Sequence, residues 1–415
     1  MRLGVVSTHL IQYLSALYRE LAKRVDALEV AYLRHVPRVG GTATFDVGFG
    51  CDVQWDVDLR SGYPWTTFNL RDVPYSFDAL DVIRTFHSTS QWLRTFRPDA
   101  VVVPGWTGLY PIVAATARAC GTRVVLRPEG RIATLRPVVH EVGRSAVLRH
   151  LIKLVDAAAY TSTSSRDELV RLGIPAERLA YSPYVIDEAA WRPLLESARS
   201  RRDTLRSSLG FASDDVVYLF VGKLAHYKRV LELVDAFSRV ASEVPRARLL
   251  IVGDGPQRKE VEARCGARGL ASHVVLFGFA NQSQLPGLHA ASDVFVLLSQ
   301  ETWGLVANEA LLAGLPLVIS VEAGCSRDLV LDGETGFRVS PSDPEDCARR
   351  LIQLADPELR ARMKPAIERV ANLFTLERSA DGVIRALELA MCARPEGRVS
   401  SDPIGCRRCA DEHRR

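Results

Sequence analysis

Four uninterrupted apolar runs constrain this chain most: VVYLFVG (216–222), RLLIVGDG (248–255), HVVLFG (273–278) and DVFVLLS (293–299). A strand with one face in water alternates apolar and polar residues. A run without alternation suits a parallel strand covered on both faces. The segments between these runs carry apolar residues at three- and four-residue steps: LELVDAFSRVASEV (231–244), QRKEVEARCGARG (257–269) and NEALLAG (308–314). The first half repeats the pattern. LGVV (3–6) precedes the helical stretch QYLSALYRELAKR (12–24). DAVVVPG (99–105) precedes LYPIVAATARACG (109–121), which closes on Gly121, and RVVLRPEG (123–130) is a further strand. Strand–helix alternation in both halves predicts an α/β chain of two doubly wound units.

With 415 residues the chain exceeds what one core usually serves. The polar, arginine-rich segment WRPLLESARSRRDTLRSSLG (191–210) reads as a linker with its own helical turns. The expected division is 1–187, 188–392 and a tail, 393–415, without periodicity or fixed structure. The opening MRLGVVSTHLIQYL is too broken by polar residues for a secretory signal and reads as a buried strand. The expected location is the cytoplasm, with or without contact to the inner face of the membrane. The stretch 131–155, with Arg136, Arg144, Arg149 and Lys153 among aliphatics, is the candidate for such contact. Its plainer reading is a helix packed on the sheet with solvated arginines. A formal net charge of +4 gives no reason to expect a nucleic-acid partner. Of eight cysteines, Cys406 and Cys409 form a CxxC, which supplies only half of a four-ligand zinc site.

The segment SQETWGLVANEALLAGLPLVIS (299–320) holds two carboxylates, Glu301 and Glu309. Glu301 is expected in the loop after a strand and Glu309 in the helix that follows. On one helix their spacing would be roughly 12 Å of rise, too far for one acid/base pair. It suits two grips on an elongated ligand. The N–H groups of Gly304, Leu305 and Val306 at the helix start favour an anion between them. The plainer reading is two ordinary helix-start acids. VGKLAHYKR (221–229) carries two of the chain's six lysines, Lys223 and Lys228, just beyond a strand ending at Gly222, with His226 between them. Cations there would neutralise a diphosphate. LLIVGDGP (249–256) is neither a dinucleotide fingerprint nor a phosphate loop and reads as a structural turn.

Taken in order, VGKLAHYK, LLIVGDGP, VVLFGFA, HAASDVFVLLS, ETWGLVANEALLAGLP and EAGCSRDLVLDGETGF resemble the retaining glycosyltransferases of family four, the group-1 glycosyl transferases. Lys223 replaces the family's usual arginine, and Arg229 stands where glycine is frequent. The resemblance covers nearly the whole second half. It implies a GT-B fold, two Rossmann-like domains facing a central cleft, with the acceptor on the N-terminal domain and the donor on the C-terminal one.

The resemblance also assigns roles. Lys223 and Lys228 would hold the donor's diphosphate and Glu301 the transferred sugar. Glu309 would bond the ribose hydroxyls, and Gly278 and Phe279 would approach the base. A last helix near 376–391 would cross back to the first domain. The implied donor is a UDP- or GDP-sugar, and no cofactor or essential metal is expected. The acceptor would be a carbohydrate, a lipid-linked glycan or a small molecule. His9, Gln12, Trp106, Arg127 and Glu129, each following a first-half strand, are the acceptor candidates, with loop packing as their plainer reading. The competing functions are a nucleotide-sugar epimerase or hydrolase of similar fold, and a non-catalytic subunit.

Overall fold

The computed structural model describes residues 1–34, 44–46, 51–53, 56, 58–70, 79–106, 108–128 and 147–393. Glu129, the stretch 131–146 and the Cys406–Cys409 pair lie outside the described residues. The first sheet contains β1 (Arg2–Ser7), β2 (Ala27–Arg34), β5 (Trp65–Leu70), β6 (Ala100–Val103), β7 (Arg123–Leu126), β8 (Ala157–Tyr160) and β9 (Leu179–Tyr181). Their order is β5-β2-β1-β6-β7-β8-β9, and every pairing is parallel. Two short strands, β3 (Thr44–Asp46) and β4 (Cys51–Val53), pair antiparallel in a separate sheet.

The second sheet contains β10 (Val216–Val221), β11 (Ala247–Val252), β12 (Val274–Gly278), β13 (Val294–Leu297), β14 (Leu317–Ser320) and β15 (Gly336–Val339). The order is β12-β11-β10-β13-β14-β15, again all parallel. Every residue of β13 and β14 is buried, because helices cover both faces. The run at β12 is only half-buried, since this strand forms the edge. Each sheet reverses its winding once, between β1 and β6 and between β10 and β13. Such reversals open a crevice beyond the strands' C-terminal ends, where α/β proteins bind ligands.

The segment 191–210 is not a linker. It forms the packed helices Glu188–Arg199 and Arg202–Ser208, with Trp191, Leu195 and Ala198 buried. Its arginines misled the polarity reading. Arg206 is 3% exposed, and its guanidinium donates to the carbonyls of Ala291, Ser213 and Asp215 and pairs with Asp293. Arg202 pairs with the same aspartate at 2.7 Å. The planar five-donor fork lets arginine be buried where its neighbours supply acceptors.

The helix Leu376–Cys392 returns to the first sheet, placing Ala380, Val383, Ala386, Leu387 and Ala390 in one core with Val5, Leu14, Leu17 and Val102. Small residues allow the close approach. A Cβ on Gly382 would lie 1.9 Å from the Tyr181 carbonyl oxygen. Gly382→Ala therefore forces the helix away from the β9 edge and should cost about 1–3 kcal/mol in an unfolding titration. Gly266→Ala, in a helix with nothing within 4 Å of the new methyl, should be neutral or stabilising by about 0.5–1 kcal/mol.

Candidate functional site

Glycines set the site by letting loops touch. Gly222 donates its N–H to Val252 O at 2.9 Å, and Gly253 donates to Gly278 O at 2.7 Å. Gly253 has φ +136°, and a Cβ there would lie 1.9 Å from Gly222 O. The ends of β10, β11 and β12 thus meet backbone to backbone, which is the structural job of VGDG. Gly278, at φ +87°, ends β12, and half-buried Phe279 follows it.

After Gly222 the chain passes Lys223, half-buried, and turns tightly at His226–Lys228. His226 is exposed. Arg229 then adopts the left-handed conformation, φ 53° and ψ 42°, before the helix Val230–Glu243. That conformation favours glycine. The Arg229 guanidinium forms an ion pair with Glu322 at 2.6 Å. The turn aims Lys228 across the switch point to the loop after β13. Its Nζ lies 2.8 Å from each oxygen of Glu301, in a pair with side chains only 10% and 18% exposed. The Ser299 hydroxyl also donates to Glu301 Oε1. Gln300 N bonds Tyr227 O at 2.9 Å, tying the two loops together.

Glu301 is pinned from behind as well. It bridges to Ala323, its carbonyl accepts from Gly324 N at 2.9 Å, and Trp303 O accepts from Cys325 N at 3.1 Å. A Cβ on Gly324 would lie 1.7 Å from Thr302 O, so only glycine fits there. Gly304, at φ +103°, opens the helix Leu305–Leu312, whose start has no side-chain cap. A Cβ on Gly304 would lie 3.5 Å from Glu301 Cδ. Uncapped amides, a cation and a carboxylate thus converge at one strand end. The sequence treated Lys228 and Glu301 as separate grips; the structure joins them as one ion pair.

Glu309 lies one turn into that helix and is buried. Its Oε2 has no hydrogen-bond partner and stands 3.9 Å from Nε2 of His289, which is fully buried. Burial pushes the Glu309 carboxyl up to about 8 and the His289 imidazole down to about 4. His289, Ser299 and Glu322 lie within the motifs that carry the resemblance, but the sequence reading assigned none of them a role. Only the frequent glycine of the resemblance at Arg229 hinted at a special backbone. Among the described residues no group of three or more His, Cys, Asp or Glu is placed to hold a metal ion.

Of the acceptor candidates, His9 is exposed, with Nδ1 2.7 Å from Thr8 Oγ1, and Gln12 begins the helix Gln12–Ala22. Trp106, half-buried beyond β6, holds its Nε1 without a hydrogen-bond partner. Arg127 departs from the expectation. It is buried in the seam below the last helix, bonding Ser182 Oγ at 3.1 Å and Ser379 Oγ at 3.5 Å and covering the Tyr184 ring. Its charge serves the junction of the two units.

The segment that pins Glu301 also reaches the first unit. Asp328 accepts from Thr163 N at 3.0 Å and Thr163 Oγ1 at 2.7 Å, and Arg327 pairs with Asp167 at 2.8 Å. Burial raises the Asp328 pKa.

The family description "Glycosyl transferases group 1" matches residues 201–370, and "Glycosyl transferase 4-like domain" matches residues 10–184. Alpha-D-kanosaminyltransferase of Streptomyces kanamyceticus is 32% identical over 58% of this chain, a match spanning 63% of that enzyme's length, less than two thirds. D-inositol 3-phosphate glycosyltransferase of Xylanimonas cellulosilytica is 28% identical over 76% of this chain and 73% of its own length. The structure of Anabaena HepE in complex with UDP superposes with a TM-score of 0.69, covering 93% of this chain and 99% of that one, at 18% identity. At that identity the likeness concerns the fold.

Removing one member of a half-buried ion pair strands the other's charge. Lys228→Met and Glu301→Gln should therefore be non-additive in urea unfolding. The double variant should lose about 1–3 kcal/mol less than the sum of the single variants.

Proposed function

Because this chain belongs to the group 1 glycosyl transferases and has their two-sheet GT-B fold, we propose that it moves a sugar from a nucleoside-diphosphate sugar to an acceptor hydroxyl with retention of configuration. The observation that carries this reading is the Lys228–Glu301 pair at the β10–β13 switch point, beside an uncapped helix start. A dianionic phosphate recruits a lysine already held in place and the open amides of Leu305 and Val306. Lys223, on the same loop, adds a second positive charge. Glu301, beside Gly304, takes a hydroxyl of the transferred sugar. Glu309 takes the ribose, and the β12 end at Gly278 and Phe279 faces the base.

In this reading the C1–O bond to the β-phosphate breaks, and its electron pair goes to the phosphate oxygen. The acceptor hydroxyl attacks C1 on the same face and passes its proton to the departing phosphate. No protein nucleophile is required, unlike the paired carboxylates of glycosidases. The chief contribution of the protein is to stabilise charge on the leaving group. Lysines supply the counter-charge in place of a metal ion. UDP- and GDP-sugars are the proposed donors; a glycan, a lipid-linked glycan or a small polyol would serve as acceptor.

Incubation with UDP- and GDP-sugars and an acceptor panel tests this. Acceptor-dependent release of nucleoside diphosphate is the expected result. Sugar scrambling without acceptor would indicate an epimerase, and no turnover or binding a non-catalytic subunit. Lys228→Ala and Glu301→Gln should each lower kcat by about 10²–10³-fold. Full activity in both would remove them from the site.

A further inference from the structure

The helix Leu285–Ala291 presents one polar ring to the interior. His289 is fully buried, with the Trp191 ring edge-on at 5.5 Å and the Phe295 ring stacked at 6.2 Å. Its Nδ1 lies 2.9 Å from Leu285 O. A carbonyl only accepts, so Nδ1 carries hydrogen, and in the neutral ring Nε2 keeps its lone pair. That lone pair faces Glu309 Oε2 at 3.9 Å, and neither atom has a hydrogen-bond partner.

Two buried acceptors facing one another are unfavourable. One proton between them removes the conflict, whether carried by the acid or by the imidazole. The gap exceeds a hydrogen bond by about 1 Å, so the shared proton requires the Glu309 side chain to turn toward the ring. Burial raises the Glu309 pKa and lowers that of His289, so at neutral pH the acid is the donor. A carboxyl bonded through one oxygen has a fixed plane and leaves the other oxygen as a directed acceptor.

We propose that His289 is the positioning residue for Glu309, holding its carboxyl through one shared proton so that the remaining oxygen reads the ribose hydroxyls of the donor nucleotide. This rests on the donor reading given above. It adds the prediction that discrimination between ribose and deoxyribose depends on a side chain that never touches the nucleotide.

Calorimetric titration of the full chain with UDP and 2′-deoxy-UDP, and with GDP and 2′-deoxy-GDP, tests it. The wild-type protein should bind the ribose form of at least one pair about tenfold or more tightly than its deoxy form. His289→Phe retains the aromatic packing but removes Nε2. It should bring the ratio to within about threefold of unity, with no further loss when added to Glu309→Gln. A folded His289→Phe protein that keeps the wild-type ratio overturns the positioning role and leaves the donor reading standing. Equal binding of ribose and deoxy forms by the wild type overturns the ribose role of Glu309 and the inference with it, and no binding of either nucleotide overturns the donor reading as well. Where His289→Phe fails to fold, the ¹⁵N shifts of His289 in the wild type decide. An Nε2 signal displaced from the free-acceptor position, and moved again by Glu309→Gln, supports the shared proton. An ordinary acceptor signal unmoved by Glu309→Gln overturns it.

Discussion

A lysine and a glutamate 73 residues apart can share a nearly dry site only when both chain segments are fixed before they meet. Moving the two charges from water costs several kcal/mol each after relaxation, and their attraction compensates only in good geometry with further hydrogen bonds. The fold supplies that geometry around Lys228 and Glu301. Parallel strands β10 and β13 deliver the two loops side by side. The left-handed turn at Arg229 aims the lysine, and the Ser299 hydroxyl occupies part of the carboxylate. The backbone of Thr302 and Trp303 is clamped by Gly324 and Cys325. The pair cancels its own charge. In the proposed reading, an arriving phosphate competes with Glu301 for Lys228.

The scarcity of lysine has a physical counterpart in how the chain uses arginine. Arg206 and Arg202 close a helix pair onto carbonyls and Asp293, and Arg127 fastens the last helix. Each task needs several donors at fixed angles, which a guanidinium provides and an ammonium does not. Lysine is a compact, mobile point charge, better suited to a partner that comes and goes. Two of the chain's six lysines fall in one loop, where Lys228 meets Glu301, whereas the arginine-rich stretch 191–210 misled.

What the sequence made legible was whatever depends on neighbours along the chain. Runs such as DVFVLLS and LLIV specified buried parallel strands, and the break at Gly304 specified a helix start. The alternation of the two specified doubly wound sheets. Contacts set by strand order were not legible. Nothing local says that β10 pairs with β13 across the two intervening strands, so the meeting of Lys228 with Glu301 had to come from three dimensions. The same holds for His289, one polar residue in the apolar stretch LPGLHAA, and for Arg127, whose partner Ser379 is 252 residues away. The sequence reading assigned His289 no role and offered Arg127 as an acceptor candidate; the packing shows which buried groups each of them faces.

The segment from Glu322 to Leu329 joins these scales. At one end Glu322 pairs with Arg229 in its left-handed turn, and Ala323, Gly324 and Cys325 hold the backbone of Glu301 to Trp303. At the other end Asp328 bonds the N-terminal turn of the helix Thr163–Leu172 in the first unit. Asp328 itself sits in the short helix Ser326–Leu329, which directly follows Cys325. Burial raises the cost of the Asp328 charge, and the hydrogen bonds from Thr163 offset part of it. The ion pair in the crevice and one of the contacts between the two units are in this way joined by one stretch of chain.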